Sequence, residues 1–68
     1  MSQPQTDWMT RAETAELLRK PVTTLAAWAY RGVGPAYSRV GRSCLYNRLD
    51  VERWLERQRV DPAAIRAR

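Results

Sequence analysis

The chain has 68 residues, which is enough for one small domain with a limited core. Its 12 Lys and Arg residues outnumber 7 Asp and Glu residues, so the formal charge is +5 and the pI about 10.4. This excess favours an anionic partner such as nucleic acid, and no apolar run approaches the ~20 residues that span a membrane. We therefore expect no association with a membrane.

The side chains needed for the commonest catalytic and metal sites are missing from the sequence. Cys44 is the single cysteine and there is no histidine, so neither a Ser–His nor a Cys–His pair is possible. Cys44 alone cannot form a zinc site or an internal disulfide. We therefore expect a protein that is not an enzyme and needs no cofactor. The free cysteine and an N-terminus unlike a signal peptide favour a cytoplasmic location.

The first helix is predicted by a capping pattern. Thr10 and Glu13 have capping-box spacing, in which each side chain can bond the other residue's backbone amide. Met9, directly before the cap, can pack against the next turn. We predict a helix over 11–18, preceded by a flexible polar arm over 1–7. Three apolar residues form its expected inner face: Ala12, Ala15 and Leu18.

The second helix has two unlike faces, and the rest of the chain is arranged around it. Pro21 suits the start of a helix and Gly32 suits the position just past its end, so we predict a helix over 22–31. Apolar residues at helical spacing form its core face: Leu25, Trp28 and Ala29. The other face is small, polar and weakly basic, which suits contact with a partner: Thr23, Thr24, Ala27, Tyr30 and Arg31.

Lys20, before this second helix, has no side-chain acceptor with which to cap its first amides. Lys20 lies beside them, and its side chain carries only donors. A phosphate bound at this helix start would use the free amides together with the Lys20 ammonium, which is the interpretation that the charge balance favours. The alternative is that water caps this end.

A short β-hairpin is predicted over 37–46. Its strands, 37–40 and 44–46, are joined through residues 41–43, where Gly41 is available for a positive φ. Alternation along the strands puts four residues on the inner side: Ser38, Val40, Cys44 and Tyr46. Three fall on the outer side: Tyr37, Arg39 and Leu45. The hairpin must lean on the helices, because two strands are barely stable alone.

The third helix is predicted over 48–59, with Asn47 as its cap and Asp50 near its positive end. Helical spacing places four residues on its core stripe: Val51, Trp54, Leu55 and Gln58. Charged residues outside that stripe are expected to form a solvated, salt-bridged face: Glu52, Arg53, Glu56, Arg57 and Arg59. Residues 60–68 then form a basic tail, in which Asp61 can cap one further turn.

Together these elements predict a mainly α fold with a small β-hairpin, a winged helix-turn-helix domain over 8–59. Several short motifs follow one another along this domain: Met9-Thr10-x-x-Glu13-x-Ala15-x-x-Leu18, Thr24-Leu25-x-x-Trp28, Gly34-Pro35, Arg39-Val40-Gly41-Arg42, Tyr46 and Asp50-Val51-x-x-Trp54-Leu55. In their order and spacing they resemble the excisionase and MerR-like group of small winged-helix proteins.

The resemblance implies a phage or plasmid excisionase, or a small transcriptional regulator, acting in a bacterial host. Such proteins place the second helix in the major groove and the wing on adjacent backbone or minor groove. Two positions depart from the pattern: the turn has Arg19-Lys20-Pro21 in place of the common Gly-x-Ser, and the second helix has Ala26 and Ala27 where Arg or Lys is frequent. The second departure favours backbone contacts and DNA shape over direct readout.

Double-stranded DNA is the expected partner. Its predicted contacts lie on the second helix, the turn before it and the wing: Lys20, Thr23, Thr24, Ala27, Tyr30, Arg31, Arg39 and Arg42. Threonine and alanine methyls can meet a thymine methyl, whereas Arg31, at the helix end, can contact guanine or a phosphate. Arg39 and Arg42 flank the wing turn, and a wing-tip arginine can enter a narrow minor groove.

We expect a protein of excisionase type, which bends DNA beside a recombination site and helps an integrase choose direction, with several copies bound cooperatively. A MerR-like transcriptional regulator is the alternative within DNA binding. An alternative of another class is a protein-interaction module that uses Leu45, Trp8 and the tail, because Leu45 is an apolar residue on the outer side of the wing.

Overall fold

The computed structural model describes residues 7–63, which contain three helices and three short strands. In chain order these are β1 (Trp8–Thr10), α1 (Arg11–Leu18), α2 (Val22–Arg31), β2 (Ser38–Val40), β3 (Ser43–Asn47) and α3 (Arg48–Arg57). The predicted winged helix-turn-helix fold is confirmed. The proposed arm and basic tail fall mostly at residues 1–6 and 64–68, which lie outside the described residues.

The capping box starts α1 as predicted. The Thr10 hydroxyl accepts from the Glu13 amide at 3.1 Å, and the Thr10 amide donates to the Glu13 carboxylate at 2.8 Å. The predicted inner face is only partly right, because Ala12 is exposed and Thr14 is buried in its place. The Thr14 hydroxyl donates to the Thr10 carbonyl at 2.9 Å, so this polar side chain is satisfied within its own helix and can face the core.

Both α1 and α2 end in the same hydrogen-bonded turn. After α1, the amides of Arg19 and Lys20 donate to the carbonyls of Glu16 and Ala15, and Arg19 has a φ of 60°. This pair of hydrogen bonds, together with one left-handed residue, forms a Schellman motif. Pro21 follows and caps α2 without a side-chain bond, so both helices occupy their predicted ranges.

The end of α2 repeats this motif with Gly32, which has a φ of 75°. Its amide and that of Val33 donate to the carbonyls of Ala29 and Trp28 at 3.2 and 2.9 Å. Gly34, with a φ of 87°, then lies so close to Trp28 that an added Cβ would be 2.9 Å from the indole Cε3. The chain therefore passes directly over Trp28 before it enters the wing.

The wing is part of a three-stranded antiparallel sheet in the order β1-β3-β2. Residues 8–10 pair with residues 45–47, a strand that we did not predict. A three-residue strand that runs straight into a helix cap has too few positions to show alternation, and it depends on the free edge of a distant strand. Beside it, the Arg48 amide donates to the Asp7 carbonyl, and the Arg48 guanidinium pairs with the Asp7 carboxylate, both at 2.8 Å.

The hairpin register differs by one residue from the prediction. Val40 pairs with Ser43, so the turn consists of Gly41 and Arg42 alone, with Gly41 at a φ of 62°. Glycine at the first of two turn residues is typical of a type II′ turn. A shift of one residue turns a strand over, so the predicted sides of β2 are wrong. Ser38 and Val40 lie on the outer face, and Tyr37 and Arg39 lie on the helix-facing side; Leu45 is on the outer face as predicted.

The core lies between the helix-facing side of the sheet and the three helices. Its buried apolar residues come from every layer: Met9, Ala15, Leu25, Tyr46 and Val51. Half-buried side chains pack around them: Leu18, Trp28, Tyr37 and Cys44. The Trp28 and Trp54 rings meet at 5.5 Å with an angle of 45° between their planes, so α2 and α3 are joined by an aromatic contact beside the core.

The third helix starts as predicted and ends earlier. The Asn47 side chain accepts from the amides of Leu49 and Asp50. The helix ends at Arg57, and Leu55 and Gln58 are exposed, so these two predicted stripe positions are wrong. The domain is too small to cover the far end of α3, so of the four predicted stripe residues only Val51 is buried and Trp54 half-buried. Of the predicted salt-bridged face, one pair is present among residues 7–63, Arg59 with Glu56 at 3.3 Å.

Candidate nucleic-acid interface

The outward side of α2 presents a stripe of exposed residues. Thr23, Ala27 and Tyr30 follow one another at helical spacing, and all three are exposed; Arg31 is exposed at the end of the helix. Tyr30 is 92% exposed, so nothing in the described chain packs on this aromatic ring. Thr24 is half-buried, which turns it partly away from this stripe. The α2 side chains that we predicted to contact DNA thus share one face, with Thr24 at its border.

This stripe has limited capacity for base readout. Threonine supplies one hydroxyl and one methyl, alanine one methyl, and tyrosine a ring with a phenolic hydroxyl. The bidentate donor that recognises guanine is present only in Arg31, on the last turn of α2. The chemistry of the stripe therefore fits close approach to a groove better than a full set of base-specific bonds.

The N-terminal end of α2 is open. Pro21 provides no side-chain cap, and the first backbone bond of the helix runs from the Thr24 amide to the Pro21 carbonyl at 3.0 Å. Lys20 is exposed immediately before this end. The arrangement matches what the sequence predicts, and the choice between phosphate and water as its cap stays a prediction.

The wing places its two arginines in different surroundings. Arg42 is exposed at the tip, as a wing-tip contact requires. Arg39 was predicted on the outer side of the hairpin. Because the register differs by one residue, it faces the helices and lies along a groove beside α2. We call this the wing groove, and it is lined by residues of α1, α2 and the segment 37–39: Arg11, Ala26, Ala29, Tyr30, Tyr37 and Arg39.

The structure thus brings two predicted contacts, Tyr30 and Arg39, to the same groove. Lys20 and Arg42 lie outside its lining, at the start of α2 and at the wing tip. The arginines of α3 lie outside it as well. The predicted residues therefore occupy four places on the surface, namely the helix start, the α2 stripe, the wing groove and the wing tip.

Arg11 is a member of the wing groove that the sequence analysis missed. Its Nε donates to the Tyr46 hydroxyl at 3.1 Å, and its guanidinium carbon lies 5.5 Å from the centre of the Tyr37 ring and 5.9 Å from that of Tyr46. The bond to Tyr46 raises the pKa of Arg11 above its usual value, so the side chain stays charged. One signal was available: a cation in the first turn of a helix opposes the helix dipole, which suggests a use other than helix stability.

A second surface lies on the opposite, outer face of the sheet. A shallow apolar depression there is lined by Trp8, Ser38, Val40 and Leu45. Trp8 is 49% exposed and Val40 is 56% exposed. The antiparallel register explains the grouping, since Leu45 is paired with both Thr10 and Ser38 and so lies between the two outer strands.

Comparison with known proteins identifies the class of this interface. A family model described as a helix-turn-helix domain matches residues 8–59. Neither the curated proteins nor the solved structures contain a match. Within residues 7–63, no helix is both long enough and apolar enough to cross a membrane. Since the match takes in every helix and strand described above, the chain belongs to the helix-turn-helix domain family and is a small DNA-binding protein.

Proposed function

We propose that this DNA-binding protein is of excisionase type: several copies bind side by side near a recombination site, bend the duplex and assist an integrase. It acts without catalysis and without a cofactor, in the cytoplasm of a bacterial host. The observation that carries the proposal is the composition of the exposed α2 stripe, which has a single strong base reader, Arg31, at its end.

A weak set of base readers on a basic domain favours an architectural protein. The charge of +5 supplies affinity for phosphates that does not depend on sequence. Specificity then comes from DNA shape and deformability and from the addition of neighbouring copies. A regulator that must find one operator as a single module would need more direct readout than Thr23, Ala27 and Tyr30 provide.

The test compares duplexes that carry one binding site with duplexes that carry several adjacent sites. Cooperative binding should give a steeper isotherm and tighter binding per site on the array. Gel migration of fragments with the site at different positions measures the bend. Identical per-site affinity on both duplexes, together with an unbent fragment, would contradict the architectural proposal and leave an independent DNA-binding monomer.

The docking geometry is tested by two substitutions that should differ in kind. Arg42→Ala removes a wing-tip charge, so it should weaken binding to all sequences alike and lower the salt slope by roughly 0.9. Thr23→Ala removes a group aimed at base edges, so it should change the preference among sites by roughly 1–3 kcal/mol at one position and leave the salt slope unchanged. If both substitutions act uniformly on all sequences, α2 contacts only the DNA backbone and does not read the bases.

A MerR-like transcriptional regulator is the alternative within DNA binding. A nuclease footprint on DNA that flanks the protein's own gene separates the two. Tandem protected sites beside an attachment site for an integrase support the excisionase proposal. Protection confined to one promoter, without tandem sites, supports the regulator.

The outer sheet face favours a second candidate function, protein interaction. Trp8 and Leu45, which the sequence analysis named for this purpose, border one apolar depression together with Val40. The candidate tail contact lies mostly outside the described residues. If this face mediates the function, Leu45→Ser should leave affinity for a single DNA site unchanged and abolish the steep isotherm or the integrase contact. An unchanged isotherm and unchanged integrase binding would leave this candidate without support.

A further inference from the structure

The wing groove contains an arginine whose charge has no acidic partner. Arg48 pairs with Asp7 and Arg59 pairs with Glu56, whereas Arg11 makes no ion pair with any residue in the range 7–63. The side chains that act on Arg11 are those of Tyr46, Tyr37 and Cys44, and none of them is a carboxylate. A guanidinium without a carboxylate partner keeps its charge available for an external anion.

The side chain of Arg11 is also held in place. Its Nε is bonded to the Tyr46 hydroxyl, and Tyr46 is 1% exposed, so the acceptor is fixed in the core. The Tyr37 and Tyr46 rings, 5.5 Å apart, lie next to the guanidinium. Stacking on the two rings and one hydrogen bond restrict the Arg11 side chain, so it has less rotamer entropy to lose on binding. Both terminal amino groups of Arg11 remain without a partner in the described chain.

Arg39 reaches the same groove from the wing. It lies opposite Cys44 in the register and lines the groove with Arg11, while Tyr30 and Ala26 line it from α2. Two guanidiniums therefore border a groove whose third side is the DNA-facing helix. A DNA strand that leaves the helix toward the wing would have to pass over this groove.

We propose that the wing groove is a phosphodiester-binding site, in which Arg11, held by Tyr46 and Tyr37, contacts the DNA backbone together with Arg39. This assignment rests on the DNA binding set out above. Guanidinium groups bind phosphate oxygens through paired N–H donors, and the two terminal amino groups of Arg11 are free for such a contact. Arg11 would thereby fix the register of the duplex between α2 and the wing.

The test measures affinity for a mixed-sequence duplex by fluorescence anisotropy over a series of salt concentrations. Arg11→Gln should weaken binding about tenfold on all sequences and reduce the salt slope by about 0.9, as expected for loss of one phosphate contact. Arg57→Gln is the matched control, because Arg57 is exposed on α3, lies outside the groove and makes no ion pair in residues 7–63. It should leave both quantities close to wild type.

Tyr46→Phe tests the support of Arg11 without removing a charge. The ring stays in the core while the acceptor of the Arg11 Nε is lost. We expect weaker binding with an unchanged salt slope, and the double variant with Arg11→Gln should be no weaker than Arg11→Gln alone. Full additivity of the two effects would overturn the positioning of Arg11 by Tyr46.

A measurement on the wild-type protein covers the case in which a variant unfolds. The Nε–H signal of Arg11 can be followed by NMR during titration with the same duplex, and it should shift on binding. An unshifted signal at saturation, or a folded Arg11→Gln variant that behaves like Arg57→Gln, would overturn the proposal. If wild type itself fails to bind duplex DNA at low salt, the proposed function fails instead, which is a distinguishable result.

Discussion

The two helices of the helix-turn-helix end in the same way with different residues. Arg19 after α1 and Gly32 after α2 both adopt left-handed conformations, with φ of 60° and 75°. Both motifs carry the same pair of amide-to-carbonyl bonds. Glycine adopts this conformation without steric penalty, whereas a residue with a Cβ pays roughly 1–2 kcal/mol. Identical backbone geometry thus has unequal costs at the two ends.

The difference shows which constraint sets the turn. At Arg19 the chain must bring α2 across α1 so that Ala15 and Leu25 meet in the core, and the backbone adopts the left-handed conformation despite the residue. At Gly32 the residue and the geometry agree. The left-handed conformation can therefore be expected from the residue type at Gly32 but not at Arg19, because tertiary packing overrides the local preference at Arg19.

Gly34→Ala should have the largest effect on stability. Its Cβ would overlap Trp28 at 2.9 Å, and its φ of 87° disfavours any side chain, so we expect a loss of about 3 kcal/mol. Urea denaturation followed by tryptophan fluorescence measures the change. A loss no larger than that of Gly32→Ala would mean that Trp28 moves aside freely.

Gly32→Ala isolates the cost of the left-handed conformation. Beyond the adjoining backbone, no atom lies within 4 Å of the added Cβ, so the φ of 75° is what opposes the substitution. We expect a loss of roughly 1–2 kcal/mol in the same denaturation experiment. If the variant is as stable as wild type, a residue with a Cβ adopts the left-handed conformation at this helix end without an energetic cost.

Arg19→Gly should have the smallest effect, and in the opposite direction. Relief of the left-handed penalty exceeds the entropy that glycine adds to the unfolded chain, so we expect a gain of roughly 0.5–1 kcal/mol. Arg19→Ala serves as control, since it removes the same charge and keeps a Cβ. A gain shared by both variants would point to charge, and not to backbone conformation, as its cause.

Local signals predicted the helices well. The capping box at Thr10, the proline at 21 and the cap at Asn47 are short-range features, and each helix starts where they place it. The sheet was harder, because its register depends on whether the turn has two residues or three. Both lengths suit the glycine at 41, and the wrong choice exchanged the two sides of β2.

In the candidate site, too, features set by local sequence were predicted and features set by long-range packing were not. Residues on the α2 stripe follow from helical spacing, so most of them lie where the sequence predicts. Arg11 was missed because its partners, Tyr37 and Tyr46, are distant in sequence and reach it only through the fold. Arg39 was placed on the wrong side by the register error. Side chains that are brought together by long-range packing cannot be recognised as a group from the local sequence pattern.

The pairing of β1 with β3 has a consequence for folding during synthesis. Residues 8–10 leave the ribosome well before their partners, residues 45–47. The helices α1 and α2 can form from local contacts while the first strand waits for the third. Closing so long a loop is slow compared with helix formation, so we expect the sheet to be completed last. Until then, Met9 and Tyr46 remain in water, and a nascent chain that stalls before residue 46 lacks two of the five buried apolar residues, Tyr46 and Val51.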